Sequence, residues 1–190
     1  MHPTSQKHRL LLLLVSMAMS ALSSSAIADI KRYLIQPGDV LTISVWKEEG
    51  LAQDAIVRPD GFISFPLVGE IEAANHPVSD VRDSIVDRLR KFIPDPVVNV
   101  SINQLSGNVI YVIGKVNRPG AFPITRYVDV MQALSMAGGT STYAAPNKIR
   151  ILRRKSGKLV SIPFRYGDIE KGENLQQNIV LDAGDVVVVP

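Results

Sequence analysis

The 190-residue chain has no cysteine, so it can form no disulfide and offers no thiol for a lipid anchor. Its three histidines fall at His2, His8 and His76. Beyond residue 28, then, only His76 remains, which excludes a multi-histidine metal site and makes any Ser-His-Asp arrangement depend on one residue. The sequence lacks a Gly-x-Ser-x-Gly elbow, a phosphate-binding Gly-x-x-x-x-Gly-Lys-Ser/Thr loop and a Gly-x-Gly-x-x-Gly turn. It also lacks an apolar run of spanning length. Leu10 to Val15 is uninterrupted, but Ser16, Ser20 and Ser23 to Ser25 dilute the residues beyond it, and the run is far short of the ~20 residues a membrane helix needs.

What stands at the N-terminus instead is a basic start (Lys7, His8, Arg9), a short apolar core and small residues ending Ala26-Ile-Ala28. This is the pattern of a secretory signal peptide over residues 1–28, with cleavage expected after Ala28. Removing it takes away Lys7 and Arg9 and no acid, leaving nineteen basic and eighteen acidic residues. A nucleic-acid binder would keep a concentrated basic surplus, so nucleic acid is not an expected partner.

The remaining residues are bracketed by an echo. Ile35-Gln-Pro-Gly-Asp-Val-Leu-Thr-Ile-Ser-Val-Trp46 opens them and Leu181-Asp-Ala-Gly-Asp-Val-Val-Val-Val-Pro190 closes them. Each reads as a tight turn leading into a strand, with Pro37, Gly38 and Asp39 shaping the first and Gly184 and Asp185 the second. Asp39 and Asp185 are expected to accept hydrogen bonds from the backbone of their own turns. Leu41, Ile43 and Val45 alternate with polar residues, as in a half-buried strand. Val186 to Val189 is apolar throughout, as in a strand covered on both faces.

Between the brackets the pattern is α+β in two modules, 29–106 and 107–190. In the first, Trp46 to Gly50 reads as a loop. Ala55 to Phe65 reads as a hairpin turning at Pro59-Asp60-Gly61 after Arg58, and Pro66 makes its second arm an edge strand or ends it. Val78, Val81, Ile85, Leu89 and Phe92 recur at helical spacing behind a Ser79 N-cap, and Pro94 and Pro96 stop the helix. Val98, Val100 and Ile102 alternate as a returning strand. Leu105 to Asn108 is the boundary. The second module shows a strand from Val109 to Val116, a turn at Arg118-Pro119-Gly120 and a helix over Val128 to Ala137 ended by Gly138-Gly139. A hairpin around Lys155 to Lys158 and the closing strand complete a mixed sheet gripping one helix.

No catalytic constellation emerges. His76 reads as a solvated loop residue. Glu48 with Glu49, and Asp182 with Asp185, are too close along the chain to face each other across a sugar. Arg150, Arg153, Arg154 and Lys155 could meet an anionic polymer or a partner's acidic surface, although edge charge also deters strand pairing. Trp46 could stack on a sugar or fill a subunit contact, with packing the favoured role. No cofactor is implied. A monomeric carbohydrate-binding module and a polysaccharide hydrolase or lyase using His76 or paired carboxylates are the rival readings.

Taken together, the stretches resemble the bacterial polysaccharide export family. Tyr33 to Trp46, Val57-Arg-Pro-Asp-Gly-Phe-Ile-Ser-Phe-Pro-Leu-Val-Gly69 and Pro94-Asp-Pro-Val97 are similar to its export domain. Val112-Ile-Gly-Lys-Val-Asn-Arg-Pro-Gly120, Ala133-Leu-Ser-Met-Ala-Gly-Gly139 and Leu181 to Val186 are similar to its soluble ligand-binding β-grasp domain. The match is especially close to the short export proteins of exosortase-linked exopolysaccharide loci. The resemblance implies a non-catalytic homo-oligomeric ring in the periplasm, associated with the outer membrane, that passes polysaccharide and docks an inner-membrane polysaccharide co-polymerase. Many members carry a lipidated cysteine after the signal, and some a C-terminal membrane-spanning helix. With no cysteine and a final residue at Pro190, the expectation here is an unlipidated ring and a separate outer-membrane pore protein.

Overall fold

A computed structural model describes residues 32–190; the expected signal peptide lies outside the described residues. Among the described residues ten strands and three helices follow one another in an α+β arrangement, with residues 33–190 forming one compact unit.

The N-terminal half builds β1 (Val40–Val45), β2 (Glu48–Ile56), β3 (Phe62–Phe65), β4 (Gly69–Glu72), α1 (Val78–Leu89) and β5 (Val98–Gln104). β1 is central in a three-stranded antiparallel sheet, with β2 on one side and β5 on the other. Its alternation is as the spacing predicts: Leu41, Ile43 and Val45 are buried and the residues between them half-buried. Val81, Ile85 and Leu89 of α1 fill the same core, each worth about 1.5–3 kcal/mol of burial.

Four expectations change here. Trp46 and Lys47 form a tight turn, not a loop. Lys47 takes φ +65° so that Glu48 can pair with Val45. The arms flanking Pro59-Asp60-Gly61 do not pair with each other: β2 pairs with β1 while β3 pairs with the unforeseen β4, and β3 ends at Phe65 before Pro66. Ser79 is not the N-cap. Extended Pro77 occupies that position without a side-chain bond, and the Ser79 hydroxyl donates to Asp80 Oδ1 at 3.0 Å. Phe92 lies beyond the helix end and is exposed.

The C-terminal half builds β6 (Val109–Gly114), β7 (Gly120–Pro123), α2 (Val130–Met136), β8 (Ile149–Lys155), β9 (Lys158–Phe164), α3 (Tyr166–Glu170) and β10 (Val186–Val189). The strands form one mixed sheet in the order β7-β6-β10-β8-β9, with β10 parallel to β6 and antiparallel to β8. This is the β-grasp order, and α2 packs against one face through Val130, Ala133 and Leu134. Asp129 and Gln132 close a reciprocal capping box at its start, with bonds of 2.8 and 3.0 Å. At its end Gly138 N–H donates to Ser135 and Gly139 N–H to Leu134, the paired bonds of a Schellman motif. The last strand departs from the sequence pattern: Val187 and Val189 are fully buried, but Val186 and Val188 only in part.

Buried apolar residues fall in two clusters. One runs from Ile35 to Val100 and the other from Ile110 to Val189.

Candidate functional site

The echoed turns share one local geometry. Asp39 N–H donates to the Gln36 carbonyl at 3.1 Å, and Asp185 N–H to the Asp182 carbonyl at 3.1 Å. In return Gln36 N–H reaches Asp39 Oδ2 at 2.9 Å, and Asp182 N–H reaches Asp185 Oδ2 at 2.9 Å. Gly38 and Gly184 sit at φ +97° and +83°, the left-handed conformation that a Cβ disfavours. Each glycine also donates to a neighbouring strand or its end, Gly38 to Val57 at 2.8 Å and Gly184 to Val109 at 2.7 Å.

The two carboxylates, 0% and 1% exposed, are completed differently. Asp39 accepts Tyr33 Oη–H at 2.6 Å and, 68 residues away in sequence, Gly107 N–H at 2.9 Å. Burial, then the bond to Asp39, pushes the Tyr33 phenol well above its ordinary range. Gly107 lies so close that a Cβ there would stand 2.7 Å from Gln36 Cβ and closer still to the Pro37 carbonyl oxygen. Asp185 is instead held by a cation. Arg153 Nε lies 3.0 and 3.1 Å from its two oxygens and Nη2 2.5 Å from Oδ2, while Nη1 reaches Asp182 Oδ2 at 2.9 Å. Arg153 is thus tied to the turn and to the Val180 carbonyl, 2.9 Å away, apart from the neighbours the sequence grouped it with.

The other arginines of the turns also act locally. Arg58 forks onto Asp60 at 2.6 and 3.1 Å and reaches Glu70 Oε1 at 2.6 Å, bridging the Pro59-Asp60-Gly61 turn to β4. Its hydrogen bond holds the Asp60 carboxyl below the usual carboxylate range. Arg118, beside Pro119 and Gly120, donates from Nη2 to the Met136 carbonyl at 3.1 Å, and Asn117 Nδ2 reaches the Gly138 carbonyl at 2.6 Å. A cation at the C-terminal end of α2 faces the negative end of the helix dipole. Gly107, Glu70 and Asn117 carry these sites without a spacing that announces them, because each acts on a residue twelve or more positions away.

The surface residues behave otherwise. Trp46 is 73% exposed at the β1–β2 turn, so it is not packed in the core. Arg150, Arg154 and Lys155 are exposed along β8. His76 lines a shallow depression of about 210 Å³ with Glu72, Asp80, Ser84 and Arg88. Its Nδ1 lies 3.9 Å from Asp80 Oδ2, too far for the hydrogen bond that would orient an imidazole for base catalysis. Glu48 and Glu49 are exposed on β2, while Asp185 is buried against Arg153. Among the described residues no group of three or more His, Asp or Glu side chains could hold a metal ion, and no helix is long and apolar enough to cross a membrane.

Among the described residues, then, an α+β fold with a β-grasp sheet closes its acidic turns internally, on Gly107 and Tyr33 in one case and on Arg153 in the other. Residues 28–103 match the family model for polysaccharide biosynthesis/export proteins, and residues 108–189 match the SLBB domain. The chain belongs to the bacterial polysaccharide export family. It is 28% identical to the EPS I polysaccharide export outer membrane protein EpsA of Ralstonia solanacearum, over 82% of this chain and 51% of that protein. It is 26% identical to the capsule polysaccharide export outer membrane protein CtrA of Neisseria meningitidis serogroup A, over 80% of this chain and 43% of that one. With the exopolysaccharide production protein ExoF of Rhizobium meliloti the identity is 28% over 66% of this chain and 32% of the relative. The chain therefore spans about half the length, or less, of these curated relatives.

Proposed function

We propose that this chain is a non-catalytic subunit of a periplasmic ring, held at the outer membrane, through which capsular polysaccharide or exopolysaccharide leaves the cell. Residues 29–106 form the export domain and face the polymer path. Residues 107–190 form the β-grasp domain and support ring contacts and docking. The ring works between an inner-membrane polysaccharide co-polymerase and a separate outer-membrane pore protein.

The observation that carries this reading is the succession of the two matched domains along residues 28–189, together with similarity over 80–82% of the chain to relatives that are named as export outer membrane proteins. The geometry is compatible with it. A conduit needs stable, water-facing walls, and here the buried carboxylates and arginines of the turns stabilise shape. Deleting the gene should leave polymer synthesised but retained inside the cell envelope, as measured by separate assay of cell-bound and released polysaccharide. Normal release from the deletion strain would refute the role.

A further inference from the structure

The near-neutral charge of the chain conceals a separation. Residues 32–106 hold seven Lys and Arg against eleven Asp and Glu, whereas residues 107–190 hold eleven against six. Among the exposed apolar residues of each half is a group that stands beside side chains of that half's majority charge.

On the basic half this is the face of the β-grasp sheet opposite α2. Ile110, Val112, Ile151, Val187 and Val189 alternate onto the α2 side and are fully buried. The intervening residues therefore share the other face. Tyr111 pairs with Val186, which pairs with Leu152, and Ile113 pairs with Val188. Tyr111 and Ile113 are 43% and 44% exposed, and the three residues beside them are half-buried. Arg150 stands on the same face beside Val188, and Arg154 further along β8. A strand apolar on both sides suits a sheet covered on both sides, and among the described residues α2 supplies only one cover.

On the acidic half the corresponding surface is a knob. Trp46 N–H donates to the Val97 carbonyl at 2.9 Å, which sets two side chains that are 73% and 64% exposed on adjoining backbones. Exposed Glu48 and Glu49 follow on β2, with the single exposed cation Lys47 between them and Trp46, and exposed Asp95 precedes Val97 by two residues. Tryptophan is among the residues most enriched as anchors of protein interfaces, where it is desolvated at the centre of the contact.

We propose that the Trp46–Val97 knob of one copy docks on the Tyr111–Ile113–Val188 sheet face of the next. Glu48, Glu49 and Asp95 then face Arg150 and Arg154. The rim charges of the two patches are complementary to each other and neither to itself, so the contact is head-to-tail, the type that forms a ring when its rotation closes. This rests on the ring reading and names the contact that would build it.

The test uses the full chain, expressed with its own N-terminal segment, in sedimentation velocity over a range of concentrations and salt. Trp46→Ala and Ile113→Lys each change an exposed residue, and circular dichroism checks that both fold. Each should weaken association by at least about tenfold, and salt should weaken the wild type. Mixed together, the two variants should form a dimer that grows no further, because one retains the sheet face and the other the knob. Assembly undiminished in both variants overturns the contact while leaving the ring reading in place. A wild type that stays monomeric throughout overturns both. Variants that assemble normally but lose retardation in gels containing the strain's secreted polysaccharide would assign the face to the polymer, and also overturn the contact.

Discussion

Asp39→Ala tests whether a buried carboxylate organises the N-terminal turn. The substitution removes the acceptor of Gln36 N–H and Gly107 N–H. Both donors belong to half-buried residues, and each N–H that stays without a partner costs about 1–3 kcal/mol, so the gross loss is at most about 2–6 kcal/mol. Tyr33 is half-buried and its hydroxyl can turn to water, so it adds little. Relief of the carboxylate's own desolvation offsets part of the loss. The expectation therefore settles at about 2–4 kcal/mol, a large share of the roughly 5–15 kcal/mol that holds a domain folded.

Urea unfolding followed by far-ultraviolet circular dichroism reads this directly. With a slope of about 2 kcal/mol/M, the midpoint should fall by about 1–2 M. Asp39→Asn should cost less, about 1–3 kcal/mol, because the amide oxygen can keep one N–H while the amide nitrogen faces the other. Asp54→Ala is the control. That exposed carboxylate also accepts two side-chain hydrogen bonds, yet its loss should stay within about 0.5 kcal/mol because water replaces them. If Asp39→Ala unfolds at the wild-type midpoint, burial and the Gly107 bond are not what matters and the reasoning fails.

Arg153→Met should destabilise by about 3 kcal/mol, since it strands Asp185 at 1% exposure with one backbone donor; thermal melts should show Arg153→Lys in between, as an ammonium cannot fork onto both oxygens. The stability gained from the Arg58–Asp60 pair should depend on acid. Asp60 is held below its ordinary 3.8 by Arg58, and a depressed folded pKa contributes stability above the unfolded value that is lost as pH falls through the folded one. The gap between wild type and Arg58→Leu should therefore be full near neutrality and close below 3.8, and a gap constant with pH would contradict the assignment.

The parts of the fold that depend on neighbours in sequence are legible from the residues alone. Val81, Ile85 and Leu89 face inward because their spacing puts them on one side of a helix, and the Asp39 and Asp185 side chains bond their own turns because three residues suffice to close the ring. What the sequence conceals depends on distance. Nothing near Trp46 marks a tight turn, yet pairing between β1 and β2 forces Lys47 to positive φ. Ser79 looks like a cap because serine accepts backbone bonds well, but Pro77 already supplies the extended residue at the helix start. The Asp39–Gly107 and Arg58–Glu70 contacts join residues 68 and 12 positions apart, so no local pattern could announce them.

The run Val186 to Val189 carries the most instructive discrepancy. Four consecutive valines predict cover on both faces of the strand, and the described residues provide it on one. The pattern is not misleading about physics: a central strand flanked by β6 and β8 needs one apolar face for α2, and uniform valine on the other face has no use in a sheet that meets water. The charge balance hides information in the same way. Nineteen basic residues against eighteen acidic leave no basic surplus of the kind a nucleic-acid binder keeps, but the average is taken over two halves of opposite sign. Both anomalies have the same resolution if the covering layer is another copy of the chain, because that copy brings an apolar knob and carboxylates to the sheet face that has valines and arginines. An uncovered β10 face and a split charge then cease to be separate oddities and become two measurements of one contact.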